Sequence, residues 1–414
     1  MANYDALIIG AGAAGLVAAK ELESYHLKVL VIDASDRVGG RLRTDKVDGF
    51  TLDHGFQVLL SAYPLAQKHL DFKALNLKPF KSGAFCFSGR DHFLVEDVNR
   101  NAAAYLRMAF SPVGSIWDKF KLAKLRKEVL SKSEEMIFNE PEISTLDYLK
   151  QRRFSNKIIN RFFKPFFGGI FLEYELKTSC RQFQFIFKMF ALGDAMLPQD
   201  GIESIASHLK SQLKETQFRL NAEVKAVRQG EVELSDGEII TGKQIIIATD
   251  PTAIFPQMVQ DISWNETHQY YFASPKSPFP KGYISLSFAE DALINNIAVL
   301  SDVCSKYAPK GQHLISVSIR NQKAKSDDQI ENEIRRELIA SGYEAARDWT
   351  FLRNYKIRKA LPSISNNAYT RPFEESLIVD GVYMAGDQML NPSLNAAMES
   401  GELAAKALIL NHTN

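Results

Sequence analysis

Three glycines, Gly10, Gly12 and Gly15, stand in a G-x-G-x-x-G spacing between a short apolar run and a stretch of helical periodicity. Asp33 closes the next apolar run, about 20 residues further on, where an acidic side chain can reach ribose hydroxyls. Each glycine has a physical task. Gly10 permits a tight turn, Gly12 lets backbone approach a pyrophosphate, and Gly15 lets the helix close on the strand. The helix start around Ala14 then turns unpaired N–H groups and a positive dipole end towards phosphate oxygens. A glycine-rich turn with no ligand accounts for one glycine, but not for three together with the acid. These residues predict a bound dinucleotide.

A second group follows at once: Asp33-Ala34-Ser35-Asp36-Arg37-Val38-Gly39-Gly40-Arg41-Leu42-Arg43-Thr44. Gly39 and Gly40 allow another close backbone approach, and Arg41 can reach a pyrophosphate. Taken alone, the stretch reads better as a solvated basic loop. A third group lies near the other end, Val382-Tyr383-Met384-Ala385-Gly386-Asp387, followed by Ser393-Leu394-Asn395-Ala396-Ala397-Met398-Glu399-Ser400-Gly401.

The second and third groups together resemble the signatures of the superfamily of flavin-containing amine oxidases, phytoene desaturases and protoporphyrinogen oxidases. The resemblance is firm at both ends and loose in the middle. Asp33 replaces the usual Glu, which preserves its role as an acceptor. The resemblance implies FAD as the cofactor. It implies that Ala34, Gly40 and Arg41 contact it, that Gly55, Phe56 and Gln57 lie beside the flavin, and that Val224 meets the adenine through its backbone. It also implies that Asp387 binds the ribityl chain. The helix start at Leu394, Asn395 and Ala396 would then face the isoalloxazine, where its dipole stabilises the reduced flavin.

Other features narrow the chemistry. No second G-x-G-x-x-G follows a strand, which argues against a dedicated nicotinamide site. Relatives that oxidise amines carry an aromatic residue near the start of the last helix; by register on Ser400-Gly401 that position is Ser393. Lys276 and Lys281 lie in the broad region where such relatives place a lysine near the flavin, but both read better as surface residues. His54 is a weak catalytic candidate as an acid–base group and reads better as a packed polar residue near the cofactor. Cys86, Cys180 and Cys304 are dispersed with no CxxC pair, so neither a redox dithiol nor a metal site is expected.

The elements that must position these groups read as α/β. The run 5–10 is a buried strand, 13–25 a helix and 28–33 a second buried strand, together a βαβ unit. Helical patterns follow at 116–133 and 145–153. The stretches FFKPFFGGIFLE and QFQFIFKMFALG, within 161–197, line an apolar tunnel or fill a helical core. Short strands are expected in 222–249, more pieces of strand and a charged helix in 256–355, one strand at 377–385, and a last helix at 395–410. At 414 residues the chain exceeds one core. The expectation is a Rossmann-type FAD-binding domain, 1–65, 196–255 and 356–414, interleaved with an α+β substrate-binding domain, 66–195 and 256–355.

Composition sets the outer limits. A net charge of +1 gives no field for nucleic acid, and no run is long enough to span a membrane. No secretory signal pattern opens the sequence, so a cytoplasmic protein is expected. The basic, apolar segment 116–132 is either a solvated helix or a peripheral membrane contact. The leading reading is an FAD-dependent oxidoreductase that takes hydride from a hydrophobic or cyclic substrate, desaturase-like or protoporphyrinogen-oxidase-like. The alternatives are an amine oxidase, a reduced-flavin polyene isomerase, and a non-catalytic escort protein that binds prenyl or lipid groups.

Overall fold

The computed structural model describes residues 4–97, 110–256, 262–320 and 325–412. The stretches 98–109, 257–261 and 321–324, to which the sequence reading also gave domain positions, lie outside the described residues.

The first strand, Tyr4–Ile9, sits in the middle of an eight-stranded sheet. It pairs in parallel with Val29–Ile32 on one side and Ile239–Ile247 on the other, so that Ile8 faces both Val31 and Ile246. Both faces of this strand are covered, which explains an apolar run without alternation. Ile8 and Val31 pack into the core beneath the helix Ala13–Ser24. Leu7, Leu30 and Ile245 face the opposite side, against Val227, Val232 and Leu234. The helix Ala13–Ser24 lies against the last helix, Leu394–His412. Gly15 makes the first turn possible, because a Cβ there would stand 2.0 Å from the Gly10 carbonyl oxygen.

The second sheet has seven strands, in the order 350–363, 263–274, 313–319, 294–299, 284–287, 83–88 and 91–96. One face buries Phe272, Val317 and Ile297 against the helix Asp327–Ala340 through Ile330 and Ile334. The other face carries Cys86, Leu286 and Tyr271 into the main core. Helices Ile116–Ser131, Thr145–Gln151, Lys164–Phe171 and Cys180–Leu192 form a layer beside it, with a π-helical turn at Ile159–Phe163.

Three features differ from the sequence reading. The run 377–385, expected as one strand, is a tight hairpin, Leu377–Val379 and Val382–Met384. Gly381, at φ 77°, takes the left-handed conformation that lets the chain reverse. The two short strands expected before residue 249 are joined in one, Ile239–Ile247, because Gly242 stays extended and pairs with Tyr4. The strand Thr350–Ser363 belongs wholly to the second sheet and runs through residue 356.

Candidate FAD and substrate site

Strand ends of the first sheet, one face of the second and the helical layer enclose a cavity of about 510 Å³. Gly10, Gly12, Ala14, Asp33, Gly40, Arg41, Gly55, Phe56, Gln57, Gly386, Asp387 and Leu394 all line it, as does His54. Three groups from distant parts of the sequence therefore meet at one place. Gly15 lies beneath, in the helix–strand contact. Ala34 is exposed beside the cavity and does not line it. Val224 begins the strand Val224–Arg228. The segment leading into it runs along the acidic turn, with the Ala222 N–H on the Asp33 carbonyl at 2.9 Å and the Asn221 N–H on Ser35 at 2.8 Å. Asn395 and Ala396 are buried and do not line the cavity, and Asn395 Oδ1 accepts the Leu65 N–H at 3.0 Å.

Local hydrogen bonds hold the fingerprint in shape. Asp33 accepts from the Ala11 and Ser35 N–H groups at 2.7 and 2.8 Å. The Gly39 N–H donates to the Ala11 carbonyl at 2.8 Å, which ties the second group to the first. Gly12 caps the first helix without a side-chain hydrogen bond among the described residues, and the first turn, Ala13 and Ala14, lines the cavity with its N-terminal N–H groups. At the far end, the Gly386 N–H donates to the Ser400 hydroxyl at 2.8 Å, which fixes the hairpin exit on the last helix.

Arg41 and Asp387 form a bidentate pair, at 2.9 and 2.5 Å. Arg41 also donates to the Ala360 carbonyl at 3.1 Å and lies over the Trp264 ring. Burial pulls the guanidinium pKa down, but the Asp387 carboxylate outweighs it and holds the cation above its ordinary value. Asp387 itself is only 2% exposed. Uncapped N–H groups, a fixed cation and an acidic acceptor at the end of the second strand are the donor and acceptor set that a dinucleotide phosphate and ribose require. The cavity therefore fits the cofactor.

His54 lines the cavity but is engaged elsewhere. Its Nε2 lies 3.0 Å from Asp45 Oδ2, and its ring lies 4.2 Å from that of Tyr355. Asp45 also accepts from Arg37 at 2.7 Å and from the Tyr355 hydroxyl at 2.8 Å. Burial raises the Asp45 carboxyl, yet these hydrogen bonds prevail and hold it well below the usual carboxylate range. The Gln57 amide donates to the His54 and Arg41 carbonyls, both at 2.9 Å, so the loop braces the arginine. Asp45, Tyr355 and Trp264 escaped the sequence reading; only their convergence in space marks them.

The position anticipated for an aromatic cage, Ser393, does line the cavity, and its hydroxyl accepts the Ala396 N–H at 3.0 Å. Lys276 and Lys281 are exposed and do not line it. Lys359 does, and pairs with Asp250. Elsewhere, Glu21, His69 and Glu402 gather at the back of the last helix, where Lys68 also takes the Glu402 carboxylate.

The phenylalanines divide by face. Phe163, Phe171, Phe183 and Phe185 are fully buried core. Phe162, Phe166, Phe187 and Phe190 turn towards a second, apolar cavity of about 440 Å³. Phe166, Phe190 and Ile284 line both cavities, so the two stand back to back across these side chains.

The sequence model of the flavin containing amine oxidoreductase family matches residues 13–409. The chain belongs to that family. Within it, the chain is similar to the 15-cis-phytoene desaturase of Solanum lycopersicum, 23% identical over 465 residues, covering 98% of this chain and 77% of that protein. It is also similar to protoporphyrinogen oxidase 2 of Arabidopsis thaliana, 28% identical over 168 residues, covering 39% of this chain and 31% of the relative. In architecture it is similar to a putrescine oxidase solved with putrescine, with a TM-score of 0.71 at 16% identity, covering 98% of this chain and 99% of that one. As a flavin amine oxidoreductase family member, the protein is an FAD-dependent oxidoreductase with a mixed α/β fold. Among the described residues, no helix is long and apolar enough to cross a membrane.

Proposed function

We propose that this enzyme takes hydride from a C–H bond of a hydrophobic or cyclic substrate, in a desaturase-like or protoporphyrinogen-oxidase-like oxidation. One observation carries the reading: an apolar cavity walled by Phe162, Phe166, Phe187 and Phe190 backs onto the cavity that holds the FAD fingerprint. FAD supplies the hydride acceptor, and the protein supplies position and a dry wall. In this reading the first-turn N–H groups after Gly12 and the Arg41 guanidinium hold the pyrophosphate, and Asp33 and the Val224 segment hold the adenosine end. Asp387, next to the Gly386 that Ser400 anchors, takes the ribityl hydroxyls, and Phe56 and Gln57 shape the wall beside the flavin. His54, committed to Asp45, positions that loop. The similarity to a desaturase along the whole chain supports this assignment, and Ser393 at the cage position disfavours amine oxidation.

The division of labour follows the sheets: residues 1–65, 196–255 and 364–414 hold FAD, and 66–195 with 256–363 hold substrate. Ile116 and Phe120 stand exposed at the rim of the apolar cavity, with Trp117 exposed beside Phe120 and Lys124 and Lys127 exposed on the same helix. We read this rim as a peripheral contact with an anionic membrane face on the cytoplasmic side, through which an apolar substrate enters.

The test is anaerobic mixing of the FAD-loaded protein with a porphyrinogen, a polyene, a primary amine and a polyamine. Bleaching of the flavin bands by the porphyrinogen or the polyene supports the reading. Bleaching by an amine, with the other two silent, overturns it.

A further inference from the structure

Resting on the hydrophobic-substrate reading, we infer that the substrate is not a bare hydrocarbon but carries a hydrogen-bonding oxygen or nitrogen, taken by Asn296 and Ser318. Both side chains line the FAD cavity from the second sheet. They belong to a row that crosses three strands: Gln269 lies opposite Ser318, and Ser318 lies opposite Asn296. Leu286 continues the row beyond Asn296. The same face also carries Ser316, and its neighbours Cys86, Leu286, Leu314 and Tyr271 lie in the apolar core. A buried amide and hydroxyl on such a face are costly unless each finds a partner.

The row comes one partner short. The Gln269 amide donates to Ser316 Oγ at 2.7 Å. Ser318 Oγ lies 2.7 Å from Gln269 Oε1 and 3.1 Å from Asn296 Oδ1. One hydroxyl has one proton, so it serves only one of these two oxygens. If it serves Asn296, the Asn296 NH2 is left facing the cavity. If it serves Gln269, the Asn296 amide turns, gives an N–H to Ser318 and presents its carbonyl instead. Amide oxygen and nitrogen have the same shape, so both arrangements fit the same space. In each, one polar atom of Asn296 has no partner among the described residues. Gly169 keeps it accessible: a Cβ at that position would stand 3.1 Å from Asn296 Nδ2. Gly169 also lines the cavity, beside Phe166. A ligand with an apolar body against Phe166 and Phe190 and one polar group near the flavin therefore satisfies the site, whereas a hydrocarbon leaves it unsatisfied. A hydroxyl suits both arrangements, and a ketone suits only the first.

The experiment titrates the full-length, FAD-loaded protein with geranylgeraniol, a ketone of the same chain and the parent hydrocarbon, reading the shift in flavin absorbance. The native protein is expected to bind the alcohol about tenfold more tightly than the hydrocarbon. Asn296→Leu should remove that preference while leaving hydrocarbon affinity in place. Ser318→Ala, a smaller change, should weaken it and serves if the first variant loses FAD. A ketone as tight as the alcohol would show the NH2 arrangement, and a ketone as weak as the hydrocarbon the carbonyl arrangement; both support the inference. Equal binding of alcohol and hydrocarbon by the native protein, or a preference that survives both variants, overturns it alone. If none of the three binds to flavin-replete protein, the hydrophobic-substrate reading falls and takes the inference with it.

Discussion

The residues that do the most here are those whose charge is fixed before any ligand arrives. Arg41 and Asp387, 346 positions apart, are joined by two hydrogen bonds in the cavity wall. Removing the arginine takes away a cation and leaves a buried carboxylate uncompensated. Arg41→Ala should weaken FAD binding by about tenfold to a hundredfold, read as flavin content after dialysis. His54 makes the opposite case. Its Nε2 is occupied by Asp45, so His54→Gln should leave the pH profile of flavin reduction unchanged; loss of one limb of that profile would restore it as an acid–base group. The glycines, Asp33, Arg41 and Asp387 were legible because backbone approach and phosphate contact demand fixed types at fixed spacings. Asp45, Tyr355, Asn296 and Ser318 were not, because no spacing links them. For the last, a signal was present: the period-two run Ser316-Val317-Ser318 places polar side chains on one strand face.

At the scale of elements, close approach and capping set the geometry. The helix Ala13–Ser24 starts against the Gly10 carbonyl, so Gly15→Val should displace the helix N-terminus and abolish FAD retention, read from the absorption spectrum of the folded variant. The helix Ile116–Ser131 is anchored at Asp118, which accepts from the Ser115 and Ser155 N–H groups at 2.8 and 2.9 Å and from both hydroxyls at 2.7 Å. Burial raises the Asp118 carboxyl, but the hydrogen bonds dominated by Ser155 win and lower it from 3.8 to about 2. A depressed carboxylate stabilises the fold above its unfolded value, and that stability is lost as pH falls through the folded value. Asp118→Asn should therefore cost about 1–2 kcal/mol near neutral pH, and thermal melts of variant and native protein should converge between pH 3.8 and about 2. The opening βαβ unit, the helices Ile116–Ser131 and Thr145–Gln151 and the last helix were readable from periodicity, whereas the strands Gly83–Ser88 and Asp91–Glu96 were not. The hairpin at 377–384 was missed although Asp380-Gly381, an Asp-Gly pair between apolar residues, is the signal for a two-residue reversal.

For the whole molecule, the proposed reading has two parts: the exposed aromatic rim meets a membrane surface, and the two cavities act as one site. For the first, Trp117→Ser with Phe120→Ser should reduce co-sedimentation with anionic phosphatidylserine vesicles several-fold and leave flavin content unchanged. The sequence announced an apolar, phenylalanine-rich stretch but could not divide it, because core and cavity wall share a composition. The helix faces make the division, Phe163 and Phe183 inward and Phe166 and Phe190 towards open space. The second claim is tested most directly by filling the apolar cavity without touching the flavin fingerprint. Ala191 lines that cavity and not the other. The decisive measurement is the rate of anaerobic flavin bleaching by whichever porphyrinogen or polyene reduces the native enzyme, compared in Ala191→Trp. The account predicts full FAD content and bleaching slowed tenfold or more; bleaching at the native rate in a flavin-replete variant would contradict it.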